Sequence, residues 1–259
     1  MLSDDQCERL GVVLVRPRNP LNIGAAARAM ANFGMEHLSV VAPYAPHWRE
    51  ARSAVGAPAL LQNARETESL PDAVTNCTLV VGTGTLTYRK PEQRVVPLPA
   101  LAPIIGGELA RGGRVAVVFG PEKHGLTRDD LSYCHLLVEI PTDPRQPSMN
   151  LGQAVAVCMY ELAARGLLPE KGSTREAQGS GLPEAAASGN LDLLAGLVEQ
   201  TMEAAGYSPH AMQEANRHDL RLLLRRLSLT QRDIRRILGL FRRILWRLNR
   251  HRQGGAVRE

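Results

Sequence analysis

The sequence predicts an α/β fold: a parallel sheet with helices on both faces, followed by a small all-α extension. Three observations predict it. Short runs that are apolar at every position, Val115–Phe119 the clearest, recur between stretches of helical composition. That is the pattern of strands buried on both faces and joined by helical crossovers. From Pro169 to Asn190 the alternation gives way to Gly, Ser, Ala, Glu and Pro without periodicity, as in a linker. Beyond it only the helical spacing of apolar residues remains. The expected boundaries are 1–168 for the α/β domain, 169–189 for the linker and 190–259 for the extension.

Taken in order, Gly11–Val15 is β-branched, is bounded by the turn Arg16-Pro-Arg-Asn-Pro20, and reads as a buried strand. The Ala-rich segment Asn22–Phe33 is a helix, with Asn22 available as its cap and Gly34 as its stop. His37–Val41, ended by Pro43, is the second strand. Arg52–Ala64 and Leu70–Val74 read as helices, and Leu79–Val81 as a strand that stops at Gly82-Thr-Gly-Thr85. A Pro-rich connector and a short helix near Leu109 lead to Val115–Phe119. The turn Gly120-Pro-Glu-Lys-His-Gly-Leu126 follows, then a capped helix from Thr127, a last strand Leu136–Ile140 and a helix Met149–Arg165. In the extension, apolar residues at helical spacing run from Leu191 to Met202, from Leu220 to Leu227 and from Ile234 to Leu248.

At 259 residues and 44% hydrophobic composition the chain can bury a core of ordinary domain size with something smaller beside it. Its charge is unevenly placed. Residues 217–252 hold 12 Arg against 2 Asp, a net +10, whereas residues 1–216 hold 18 Lys+Arg against 23 Asp+Glu, a net −5. Basic runs of this kind usually mark solvated helix faces, yet +10 in so short a stretch is a field that a phosphate backbone neutralises well. The four cysteines are scattered, none in a CxxC, and read as reduced thiols. An acidic N-terminus unlike a secretory signal, with no apolar stretch of membrane-spanning length, predicts a soluble, cytoplasmic protein.

No GxGxxG, Walker, HExxH or nucleophile-elbow motif is present, and His124 and His135 lack partners at metal-ligand spacing. What stands out is the layout. Loops after the strands ending near Val81, Phe119 and Ile140 all carry Gly, Pro or small polar residues, and in a parallel sheet all three lie at the carboxyl edge, where ligands bind. In Ile140-Pro-Thr-Asp-Pro-Arg-Gln-Pro-Ser-Met-Asn-Leu-Gly152, three prolines hold the turn extended and feed a polar Ser148-x-Asn150 pair into an apolar helix. Taken alone, Ser148 and Asn150 fit an ordinary N-cap, Arg28 a solvated helix arginine, and Glu122 a charge at a helix start.

In combination, Asn22-x-Gly-x-x-x-Arg28, Val118-Phe-Gly-Pro-Glu-x-x-Gly-Leu126 and Ile140-Pro…Ser148-Met-Asn-Leu151 resemble the three motifs of the SPOUT superfamily, in the TrmH-like group of RNA ribose 2′-O-methyltransferases. The extension, through Gly206-Tyr207, Leu223-Leu-Arg-Arg-Leu227 and Ile237-Leu-Gly239, is most similar to that of the bacterial TrmJ proteins. These methylate the ribose of cytidine or uridine at position 32 of the tRNA anticodon loop with S-adenosyl-L-methionine. The resemblance implies a deep trefoil knot, where the opening loop threads near the one after Phe119, a departure from the unknotted rule. It implies a homodimer with an RNA site spanning its interface. The cofactor is expected among Thr83, Gly84, Thr85, the Gly120 turn, Ile140, Ser148 and Met149, with Asn22, Arg28, Glu122, Ser148 and Asn150 as the polar catalytic shell. Two positions depart from the pattern: Pro147 stands where a small polar residue is usual, and Met149 where a Leu is.

A methyl carried on a sulfonium is already activated, so the protein has to align a ribose 2′-hydroxyl and help its proton leave. Guanidinium stays protonated, which makes phosphate docking and stabilisation of developing alkoxide charge the expected role of Arg28, with Ser148 and Asn150 orienting the same groups. Two alternatives stand beside this expectation: a ribose methyltransferase of ribosomal RNA, and a non-catalytic RNA-binding protein of the same fold.

Overall fold

The computed structural model describes residues 4–84, 91–165, 184–207 and 212–255. A short α1 (Asp4–Cys7) leads into β1 (Leu10–Val15), α2 (Pro20–Asn32) and β2 (His37–Val41). Next come α3 (Pro58–Asn63), β3 (Arg65–Thr67), α4 (Leu70–Val74) and β4 (Leu79–Thr83). Then β5 (Arg94–Pro97), α5 (Leu101–Ala110), β6 (Val115–Phe119), α6 (Arg128–Ser132), β7 (Leu136–Glu139) and α7 (Leu151–Arg165) complete the sheet and its cover. The seven strands pair in the order β3-β2-β1-β6-β4-β7-β5, every pair parallel. β6 lies in the gap between β1 and β4, and β7 in the gap between β4 and β5.

Continuous apolarity in the strands follows from burial on both faces. Leu10, Val12 and Leu14 of β1 face the layer of α2, α3, α5 and α7, while Val13 and Val15 face α4 and α6. All five expected strands are present. The two unforeseen ones are edges: β3 is Arg-Glu-Thr, and of β5 only Val96 is buried. An edge strand covered on few sides needs no apolar run, and Pro97 is tolerated there.

Three expectations are corrected at helix starts. α2 begins at Pro20 and is capped by Asn19, whose side chain accepts the Leu21 N–H; Asn22 is thereby released from capping. Arg52–Ala64 is helical only over Pro58–Asn63, since Gly56 with φ of +82° and Pro58 allow a helix to start only there. α7 starts at Leu151 rather than Met149, capped by Asn150. Small residues let α2 approach closely: a Cβ on Gly24 would overlap Ser53, and one on Gly152 would lie 2.7 Å from the Ala25 methyl.

The described C-terminal residues form α8 (Ser188–Ala204), α9 (Gln213–Arg226) and α10 (Gln231–Gly255) around their own apolar cluster of Leu191, Leu194, Leu224, Ile234 and Leu238. α8 begins just inside the segment expected to be linker, most of which lies outside the described residues. Its first N–H groups find acceptors at the end of α4: Ser188 donates to the Cys77 carbonyl at 2.8 Å and Gly189 to that of Thr75 at 3.0 Å. On α9, the Arg221 guanidinium pairs with Asp129 at 2.6 Å and lies 4.5 Å from the Tyr133 ring centroid; that of Arg225 lies 5.3 Å from the same centroid and pairs with Asp192 at 2.8 Å. The Arg225 side chain is 1% exposed. Next to it, His135 accepts the Val80 N–H at its Nδ1 atom, and burial, reinforced by Arg225, pushes its pKa down to about 3. The ring is therefore neutral and structural.

A buried guanidinium that loses its carboxylate is costly, whereas losing both charges together is often neutral. Asp192→Ala is expected to destabilise the chain by about 3–5 kcal/mol in urea unfolding. The double substitution Asp192→Leu with Arg225→Met should recover most of that loss. Equal instability of the single and double variants would overturn the assignment.

Candidate active site

A hollow of about 310 Å³ opens at the carboxyl ends of β4, β6 and β7. Its walls come from the three loops singled out above and the strand ends that feed them: Thr83 and Gly84 at the end of β4, Phe119 to Leu126 from the end of β6, and Ile140, Thr142, Pro147, Ser148 and Met149 after β7, with Leu151 and Ala154 of α7 closing one side. A larger hollow, about 750 Å³, lies at the opposite edge beneath β1, β2 and β6, but it gathers none of these loops. Ligands of open parallel sheets bind at the carboxyl edge, so the smaller hollow is the candidate site.

Each wall is held by local chemistry. Gly120 is required by space, since a Cβ there would overlap the backbone of Gly125 and Leu126. Gly125 has φ of +63° and donates to the Pro121 carbonyl at 2.9 Å, closing the turn. The turn then enters α6 through a capping box of Thr127 and Asp130, and Arg16 pairs with the same Asp130. The Thr83 hydroxyl donates to the Val118 carbonyl at 2.9 Å and fixes the end of β4 against β6. Gly84 borders the hollow, with no atom of the described residues within 4 Å of where a Cβ would stand, while its N–H donates to the Val138 carbonyl at 3.4 Å. The Pro147 carbonyl accepts the Thr142 hydroxyl at 3.1 Å and closes the neck of the third loop. What Pro147 lacks as a donor it supplies as an acceptor.

Along the rim, the polar residues of the three motifs form one chain. The Glu122 carboxylate accepts the Arg18 and Asn19 N–H groups at 3.1 Å each and the Asn22 amide at 2.8 Å. The Asn22 carbonyl oxygen accepts from Asn150 at 2.9 Å, and the other end of Asn150 caps α7 by accepting the Gly152 N–H at 2.9 Å. Half-burial alone raises the pKa of Glu122, but the hydrogen bonds from Asn22 and from the backbone outweigh it and hold the carboxyl below its ordinary value.

Of the expected site residues, Thr83, Gly84, Gly120, Glu122, Ile140, Ser148 and Met149 line the hollow, and Asn22 and Asn150 join it through Glu122. Thr85 lies outside the described residues. Ser148 is exposed, and its hydroxyl has no partner among the described residues; Asn150 performs the capping foreseen for either. Arg28 is exposed on α2 without a partner among the described residues, roughly 9 Å further along that helix than Asn22, and does not line the hollow. Leu126 and Leu151, quoted in the motifs without a role, also form apolar walls; sequence reasoning missed Ala154 and the rim residues Lys123 and His124, which occupy variable positions of the second motif.

Three donors on one carboxylate leave no room for an amide in its place. Glu122→Gln, which turns an NH₂ toward an N–H, is expected to cost about 1 kcal/mol of stability in urea unfolding, the low end for a half-buried group. A carboxyl with a depressed folded-state pKa contributes stability above its unfolded pKa and loses it as pH falls through the folded value. The difference between wild type and variant should therefore close in acid. A difference independent of pH would contradict this reading of the carboxylate.

Residues 9–160 match the SpoU rRNA Methylase family. Over 206 residues the chain is 36% identical to the tRNA (cytidine/uridine/adenosine-2′-O-)-methyltransferase TrmJ of Pseudomonas aeruginosa (strain UCBPP-PA14), covering 77% of this chain and 79% of that protein. It is 32% identical over 253 residues to the tRNA (cytidine/uridine-2′-O-)-methyltransferase TrmJ of Citrobacter koseri, covering 95% and 99% respectively. Among solved structures, TrmJ from Z. mobilis ZM4 superposes with a TM-score of 0.77 at 30% identity, over 90% of this chain and 98% of that one. The relatives span the C-terminal helices as well as the sheet, and the family profile spans all three motif loops: the chain belongs to the SpoU methylase family.

Proposed function

We propose that the chain transfers the methyl group of S-adenosyl-L-methionine to a ribose 2′-hydroxyl of tRNA, at the cytidine or uridine in position 32 of the anticodon loop. The observation that carries this reading is the meeting of the three motif loops around one hollow, tied by the Glu122–Asn22–Asn150 chain. The activities of the TrmJ relatives support the tRNA ribose as substrate. The hollow suits the cofactor: the missing side chain of Gly84 leaves room for close approach, while Ile140, Met149 and Leu126 offer apolar surface to an adenine. Thr83, Gly84, Gly120, Ile140, Ser148 and Met149 would hold it, and its chemistry is the supply of an activated methyl.

The geometry divides the polar shell into two groups. Glu122, Asn22 and Asn150 have their hydrogen-bonding capacity directed at one another and at the backbone, and act as positioning residues. Ser148 and Arg28, unpartnered among the described residues, are free to meet RNA. Arg28 docks a phosphate and stabilises charge developing on the 2′-oxygen. Exposed Leu21 and Tyr160 on α2 and α7, at 54% and 59%, support a homodimer joined along these two helices, with the RNA spanning both copies. The positions of β6 between β1 and β4 and of β7 between β4 and β5 support a trefoil knot. The order of units proposed is 1–168, 169–189 and 190–259, and the place of action is the cytoplasm.

The C-terminal arginines also divide. Arg217, Arg221 and Arg225 are engaged with Glu199, Asp129 and Asp192, whereas Arg235, Arg242 and Arg247 of α10 have no acidic partner among the described residues. This second set is available to phosphates. A ribosomal RNA substrate is the competing reading, favoured by the rRNA in the family's name.

Mapping 2′-O-methyl sites in total RNA with and without the gene decides between them: loss at the tRNA anticodon loop is expected, and loss in ribosomal RNA alone would overturn the proposal. With tritiated-methyl cofactor, Arg28→Ala should abolish transfer while cofactor affinity by calorimetry stays near wild type; equal activity would remove Arg28 from the site. Alanine at Arg242 and Arg247 should weaken tRNA binding and lower the slope of log affinity against log salt by about 0.7–0.9 for each phosphate no longer neutralised. An unchanged slope would exclude that face of α10.

A further inference from the structure

Beside the hollow stands a feature that neither the cofactor nor the catalytic shell uses. Tyr44, in the loop after β2, is 74% exposed, and the Arg18 guanidinium lies 5.2 Å from its ring centroid. Arg18 has no acidic partner among the described residues for its side chain. An exposed tyrosine stacked with an unpaired arginine contributes little to the core, yet the backbone beneath the pair is tightly held. Arg16 and Ala42, neither of them glycine, adopt left-handed conformations with φ of +47° and +41°. Their N–H groups donate to the Val41 and Thr67 carbonyls at 2.8 Å each, and the Tyr44 N–H donates to that of Pro17 at 3.1 Å. Strained backbone of this kind persists where the surroundings over-determine it, and it concentrates at ligand-binding sites. The same segment is fixed to the active site, because the N–H of Arg18 is one of the three donors to Glu122.

We propose that Tyr44 and Arg18 form a platform on which a nucleobase beside the target ribose stacks, with the Arg18 guanidinium also facing the adjacent phosphate. This inference rests on the RNA methyltransferase reading and extends it to a base-binding subsite. The chemistry fits that ligand class: a base has a π face for the phenol ring and for the guanidinium plane, and such stacking tolerates any base. Prolines 17, 20, 43 and 46 flank the pair and stiffen both loops, so little ordering is required on binding. One strand of RNA lying over the carboxyl edge would meet the platform next to the hollow that holds its ribose.

The test uses the full-length protein, tritiated-methyl cofactor and unfractionated tRNA. Tyr44→Ala is expected to raise the KM for tRNA about tenfold or more, in line with the loss of one base stack, with cofactor affinity unaltered. Tyr44→Phe, which keeps the ring, should behave as wild type. In anticodon stem-loop RNAs carrying single abasic nucleotides, one abasic position beside the target should raise the wild-type KM and leave that of Tyr44→Ala unchanged, because the variant already lacks the ring on which that base would stack. An unaltered KM in Tyr44→Ala, or equal sensitivity of both proteins to every abasic position, would overturn the platform. So would a change in oligomeric state by light scattering, which would assign Tyr44 to contact with a second copy. Absence of methyl transfer by the wild-type protein would overturn the methyltransferase reading and the platform with it, whereas transfer with unchanged KM overturns the platform alone.

Discussion

The arrangement of the carboxyl edge depends on one carboxylate. Glu122 accepts from two consecutive backbone N–H groups, Arg18 and Asn19, and from the Asn22 side chain, so a single residue after β6 fixes the loop after β1. Through Asn22 and Asn150 the same chain reaches the start of α7 and thereby the end of the loop after β7. Three loops far apart in sequence are thus held in mutual register by hydrogen bonds whose donors and acceptors are nearly saturated. Such a network resists distortion because each member is positioned by at least two others, and releasing one would leave half-buried polar groups unpaired. The network reaches the hollow through Glu122, and the other walls combine backbone and apolar atoms with the side chains of Thr83, Lys123, His124, Thr142 and Ser148.

Those interior surfaces are set by the sheet. With both faces covered, the strands have no freedom to slide, because a one-residue slip would exchange the Leu10-Val12-Leu14 face with the Val13-Val15 face. The ends of β4, β6 and β7 are therefore fixed relative to one another by the sheet itself. The loops add only short-range chemistry to a rigid frame, such as Thr83 on Val118 and Thr142 on Pro147. Glycines act at specific points: Gly120 where two backbone segments touch, and Gly84 where the wall borders the hollow without a side chain.

The central strands, the carboxyl-edge loops and the polar motif were legible in the sequence because each has a local signature: continuous apolarity, proline and glycine clusters, or fixed spacing. Edge strands β3 and β5 were not, since an edge carries neither an apolar run nor alternation long enough to count. Asn19 and Asn22 are equivalent candidates for a cap by composition, and only the Pro20 that follows Asn19 separates them, being suited to the first helical turn. Asn22 is then free to join Glu122, a role that no local pattern announces. The same holds for Ser148 and Asn150, where one residue caps α7 and the other is left exposed. The Tyr44 and Arg18 pair was invisible for a different reason: the two residues come from separate loops and meet only through tertiary structure.

The C-terminal charge shows why a count of basic residues does not locate a binding surface. Twelve arginines between residues 217 and 252 give one strong field, yet their work differs by position. On α9, where Arg226 is exposed, Arg225 is buried against Asp192 and Tyr133, and Arg221 reaches Asp129 on α6. They fasten the helical unit to the helix that follows the Gly120 turn, and their charge is neutralised locally. On α10, whose apolar stripe is occupied by α8 over its first turns, Arg235, Arg242 and Arg247 have no acidic partner among the described residues. The fastening and the field are therefore carried by different helices. On the proposed reading, an RNA drawn in by α10 would meet a unit already anchored to the wall of the hollow, so the contact that attracts the substrate would also orient it toward the methyl donor.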